Sequence, residues 1–175
     1  SRSPVIPDRI IHDTVASGDH QMGPYGEILP IPLRAVVEGP VKPGLLGGKG
    51  GRSAVRHVSV RFEIMGDTGA VFADNDLTLI DVRADAAGLA KARLRLGHRP
   101  GDVRIQAILP DHPDIPPVWY RAGAGIEVIG DDLETTTDGS IEEIGVRLTR
   151  PDGQPASGVN VYFRIEGNGD GASLK

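Results

Sequence analysis

Two short stretches hold the side chains best suited to ligation or proton transfer. His12-Asp13 and Asp19-His20 put imidazoles and carboxylates eight residues apart, close enough to converge across a turn on a metal ion. The stretch is polar and close to the start of the sequence, so the expectation is a solvated loop, with a metal site and an interface behind it. Asp111-His-Pro-Asp114 has the residues of a His-Asp pair or a cation site, but no nucleophile stands beside it in a recognisable setting, and it is expected to be an exposed turn. Asp74-Asn-Asp76 and Asp131-Asp132 carry calcium-type oxygens without the twelve-residue loop and its closing bidentate Glu; calcium at a junction between modules is retained for the second pair only. In the run Gly47 to Gly51, Lys49 is followed by Gly rather than Ser or Thr and no helix is signalled, so it is not a phosphate loop. Glu142-Glu143 reads as the polar entry to a strand. No catalytic, cofactor-binding or metal-ligating set is assembled from these residues.

Trp119-Tyr120 is the remaining candidate, as a contact with a ligand or partner. Period-two alternation on a strand points one ring inward and the other outward. Large aromatics are mostly buried, so a core or edge position is expected for Trp119; an exposed indole would stack on a sugar or dock a protein.

The elements that must position these residues are strands. Gly 24 and Pro 14 in 175 residues exceed average usage, as short strands separated by many turns require. Val58, Val60, Phe62 and Ile64 alternate with Ser59, Arg61 and Glu63, the pattern of a strand with one buried face. Ala90 to Leu96 and Val103 to Leu109 alternate in the same way. The turn formers Gly97 to Asp102 between them predict an antiparallel hairpin. Further strands are expected over 31–37, 77–82, 118–122 and 125–129. Residues 38–54 are expected to form a mobile loop and the Pro-rich 110–117 a stiffer one.

A net charge of -5 offers no electrostatic footprint for a nucleic-acid backbone or an anionic membrane. The absence of cysteine excludes disulfides, thiolate metal sites and thiol nucleophiles. No apolar run reaches the ~20 residues of a membrane-spanning helix, and Ser1-Arg-Ser-Pro4 is not an export signal, so membrane insertion of this segment is not expected.

An internal repeat organises the chain. Val58-Ser-Val-Arg-Phe-Glu-Ile-Met-Gly66 returns 101 positions later as Val159-Asn-Val-Tyr-Phe-Arg-Ile-Glu-Gly167. Leu33 to Val37 has a counterpart in Val146 to Thr149, and Gly69-Ala70 in Gly171-Ala172. A spacing near 100 is that of one sandwich module.

These residues resemble the bacterial Ig-like group 1 domains that occur in tandem in invasin and intimin. The resemblance rests on Asp152-Gly-Gln-Pro155 and Gly158-Val-Asn-Val-Tyr-Phe-Arg-Ile165 in the second copy. In the first it rests on Val58 to Ile64, Asp85-Ala-Ala-Gly-Leu-Ala90 and Pro100-Gly-Asp-Val-Arg-Ile-Gln-Ala107. The long connection 38–54, the Pro-rich 110–117 and residues 1–26 depart from the pattern.

The expected fold is therefore all-β: an immunoglobulin-like β-sandwich, one complete module over 27–130 and the opening strands of a second over 131–175, preceded by an extended segment, 1–26. The resemblance implies a non-catalytic spacer, adhesion or interaction unit of an exported bacterial protein, on the cell surface, secreted or in the periplasm. Its partners would be proteins: neighbouring modules, other copies or a surface receptor. The alternatives are an assembly subunit that completes sheets between copies by strand addition, and a carbohydrate-binding accessory domain with Trp119 and Tyr120 as its glycan platform.

Overall fold

A computed structural model describes residues 4–43, 50–129 and 145–148, and every regular element among them is a strand. In chain order these are β1 (Arg9–His12), β2 (Gln21–Gly23), β3 (Leu33–Pro40), β4 (Arg52–Ala54), β5 (Ser59–Met65), β6 (Val71–Phe72), β7 (Leu79–Arg83), β8 (Leu89–Ala92), β9 (Leu94–Arg95), β10 (Gly101–Ile108), β11 (Val118–Ala124), β12 (Ile126–Ile129) and β13 (Gly145–Leu148). The alternating stretches Val58 to Ile64 and Val103 to Leu109 become β5 and β10, two of the longest, whereas Ala90 to Leu96 is divided between the short β8 and β9. β3, β5 and β10 each bury every second side chain.

Two sheets face each other across one core, an all-β sandwich. In the first, β3 is central: β1 lies antiparallel along one edge, and β8 and then β4 share the other. The second has the order β2-β11-β10-β5-β7, antiparallel except where the short β2 runs parallel to β11. Leu33, Ala35, Val37, Ala90 and Ala92 meet Val60, Phe62, Val103, Ile105 and Ala107 in the interior, all at most 1% exposed. Many of these side chains are alanines, and the space they leave is filled by aromatics. The Phe62 ring lies 6.4 Å from both Phe72 and Tyr120, edge-on to the first and tilted to the second.

Three expectations about connectivity are corrected. Ala90 to Leu96 and Val103 to Leu109 are not a hairpin: β8 pairs with β3 in one sheet, whereas β10 lies between β5 and β11 in the other. The link 97–102 crosses from sheet to sheet. At its start Gly97 runs against the backbone of Thr68 and Gly69, where a Cβ would overlap main-chain atoms. Alternation reports which face is buried and carries no information about the neighbouring strand.

Residues 38–54 are not one long loop either, because Glu38-Gly39-Pro40 pairs with Arg52-Ser53-Ala54. Residues 44–49 of that connection lie outside the described residues. The segment 1–26, expected to be extended and outside the sandwich, supplies β1 and β2 to the two sheets. Arg9 and Arg52 both pair with Glu38, and Arg52 also with Asp8, which staples the segment to β3 and β4. Gly88 sits in the turn before β8 at φ +72°, the left-handed conformation expected of it, with the Val37 carbonyl oxygen 2.6 Å from where a Cβ would stand.

β12 and β13 pair antiparallel with each other, so residues 126–129, expected at the end of the first module, take their strand partner from residues 145–148. Only Gly125 separates β11 from β12.

Candidate functional site

The polar residues near the start of the chain do converge, on the end of the sandwich where β1 passes β11. His12, the last residue of β1, packs its ring 4.6 Å from that of Tyr120, and its Nε2 lies 2.6 Å from the Trp119 carbonyl oxygen. A carbonyl only accepts, so His12 Nε2 carries the proton. Asp19 Oδ1 accepts the backbone N–H of Arg121 at 2.7 Å and of His20 at 2.9 Å. Asp19 Oδ2 lies 3.4 Å from His20 Nε2 and 4.0 Å from His12 Nε2. Asp13 is turned away, held through Oδ2 by Arg34 at 2.8 Å.

Each of these groups thus has a structural task. Among the described residues no group of three His, Asp or Glu side chains is arranged to hold a metal. Asp19 fastens the loop before β2 to the edge of β11. Asp19→Ala would strand the Arg121 N–H and is expected to destabilise the fold by about 1–2 kcal/mol. Asp19→Asn keeps an acceptor oxygen and should recover most of the loss in urea denaturation; equal losses for both variants would show that the carboxylate charge matters instead.

Trp119 and Tyr120 divide as alternation requires. Tyr120 is inward and buried, and its hydroxyl donates to the Arg34 carbonyl oxygen of the facing sheet at 2.6 Å. Burial, reinforced by Asp19 and Asp13, pushes its phenol well above the usual tyrosine range, so it remains a donor. Trp119 points outward and is 39% exposed, so it is not in the core; it lies on the part of β11 that β2 does not reach, an edge position. Arg104 lies against its ring, with Cζ 4.9 Å from the centroid.

The remaining candidates resolve into structural contacts. Asp74 pairs with Arg93 and Asp76 with Arg95, so guanidiniums occupy the carboxylates that resembled calcium ligands. Asn75 between them accepts the Leu77 N–H and donates to the Leu79 carbonyl, closing the turn. Residues 109–115 form consecutive turns, with His112 N–H donating to the Leu109 carbonyl and Ile115 N–H to that of His112. Asp131, Asp132, Glu142, Glu143 and Lys49 lie outside the described residues.

On the outer face of the second sheet, Arg61 grips Asp81 through two hydrogen bonds of 2.8 and 3.1 Å across β5 and β7. The Arg61 hydrogen bonds hold the Asp81 carboxyl below its ordinary value. A depressed folded-state pKa contributes stability above the unfolded value that is lost as pH falls through the carboxylate range. Asp81→Asn should therefore be slightly less stable than the parent at neutral pH and converge with it in acid; a constant difference across pH would remove the ion pair as its cause.

Two features went unnoticed in the sequence: the buried Gln21 and the arginine pair Arg104 and Arg121 beside Trp119. Neither has a motif, since each takes its meaning from a contact between distant strands. No family model matches the chain, and no curated protein or solved structure matches it.

Proposed function

We propose that the chain is a non-catalytic module of an exported bacterial protein, a spacer or protein-interaction unit of the Ig-like group 1 kind, set in a tandem array. The observation that carries this reading is the repeat of Val58 to Gly66 at Val159 to Gly167, at the spacing of one sandwich. The pairing of β12 with β13 supports it, because β1 and β3 open the first copy with the same antiparallel pairing. Strand order supports it too. β1, β3 and β8 share one sheet and β5, β10 and β11 the other, as the first, second and fifth strands do against the third, sixth and seventh in immunoglobulin sandwiches.

In such an array each module transmits force and shape, and the connection between modules sets how far one swings against the next. A single residue between β11 and β12 leaves little slack, and the Gly125 N–H is tied to the Gly23 carbonyl at 3.1 Å.

An antibody against this chain should find it on intact cells of the source organism, in the periplasmic fraction or in the medium; confinement to the cytoplasmic fraction would sink the exported reading. Light scattering on the eluting peak should give a monomer. A concentration-dependent oligomer would favour strand addition between copies.

A further inference from the structure

The registers of the second sheet lay out its outer face row by row. Trp119 stands opposite Gln106, and Gln106 opposite Glu63; in the adjoining row Arg121 stands opposite Arg104, and Arg104 opposite Met65. Arg61 is paired with Asp81, and Glu63 accepts from Gln106 at 3.2 Å. Arg83 at the β7 edge has no ion pair among the described residues, and nor do Arg104 and Arg121, which alone stand side by side.

Residues directly opposite each other on antiparallel strands have Cβ atoms about 4.5–5.5 Å apart, and like charges there are destabilising. Neither guanidinium forms an ion pair among the described residues, although Asp102 is the next outward residue on β10. Arg104 is partly compensated by the Trp119 ring; Arg121 has no side-chain partner among the described residues. In a chain of net charge -5, two unmatched cations side by side next to a partly exposed indole form a surface suited to an anion with an apolar face.

We propose that Arg104, Arg121 and Trp119 form a binding site for an acidic polysaccharide, one that carries uronic-acid carboxylates. A carboxylate set between the two guanidiniums accepts forked hydrogen bonds from them and converts their repulsion into attraction. The indole packs on the C–H face of the same or the adjoining sugar. An acidic peptide would engage the arginines and give the exposed indole nothing specific to contact, so the glycan is the better fit. The site goes beyond the module reading and stands whether or not the chain belongs to an array.

The test uses the full chain with polygalacturonate as the probe, and dextran and poly-glutamate as controls, by calorimetry and affinity electrophoresis. Polygalacturonate is expected to bind, more weakly as salt rises, and dextran is not. Arg121→Ser should weaken binding about tenfold or more, while melting at the same temperature as the parent or a few degrees higher, because it removes the repulsion. Trp119→Ala should lower affinity for polygalacturonate.

Failure of polygalacturonate to bind, equal retention by dextran, or equally tight binding of poly-glutamate would overturn the proposal. So would unchanged binding by Arg121→Ser, or a clear drop in its melting temperature, which would make Arg121 a structural residue. Localisation of the chain in cells does not bear on any of these outcomes, so the site and the module reading fail separately.

Discussion

Phe62→Ala is expected to cost about 3–5 kcal/mol and to lower the melting temperature by about 10 °C or more. Phe62 lies in β5, between β10 and β7, with no exposed surface, and its ring bridges Phe72 and Tyr120. The surrounding alanines cannot move in to fill the void, and a sandwich without cysteine has no disulfide to hold its sheets together. Phe62→Leu restores most of the volume and should cost about 1–1.5 kcal/mol. Chemical denaturation followed by circular dichroism distinguishes the two variants. A loss under about 1 kcal/mol for the alanine variant would mean that the sheets are not held together through this ring.

Gln21→Leu is expected to be nearly as damaging, for the opposite reason. Gln21 is 1% exposed, yet its carboxamide donates to the Gly18 carbonyl at 2.6 Å and the Ile31 carbonyl at 2.7 Å and accepts the Ile31 N–H at 3.1 Å. Leucine fills a similar volume and leaves three backbone groups without a partner. At about 1–3 kcal/mol for each group that stays dry, the loss should reach about 3 kcal/mol, with water entry recovering part of the rest. Amide exchange offers a sharper readout: the Ile31 N–H should lose its protection while those of β5 and β10 keep theirs. Uniform protection in the variant would show that the carboxamide network is not what holds the 18–31 loop.

The strands that were legible are those whose burial is one-sided. Val58 to Ile64 and Val103 to Leu109 state their own periodicity, and β5 and β10 follow it within a few residues. Trp119 and Tyr120 were legible in part: alternation separates their directions, and the packing of Tyr120 against Phe62 decides which of them points inward. β1 and β2 were not legible. They are only four and three residues long, and they are strands because β3 and β11 offer them free edges. The polar cluster was visible as residue types and invisible as an arrangement. His12 and Asp19 are tied to Trp119 and Arg121, about a hundred residues away, by a carbonyl oxygen and an amide that no side-chain motif records.

The repeat near 100 residues, the all-β class and the inward faces of the longest strands are properties of this sequence alone, because a half-buried strand writes its exposure into every second residue. Strand partners, the crossing at 97–102, the place of residues 4–26 in both sheets and the meeting of Arg104 with Arg121 were decided only by the tertiary structure. Backbone hydrogen bonding is nearly blind to side-chain identity, so which edges pair is set by how the two faces pack together. The exposed indole belongs to both: alternation sets Trp119 opposite in direction to Tyr120, while the packing of Tyr120 against Phe62 turns the indole outward and register brings the two guanidiniums beside it.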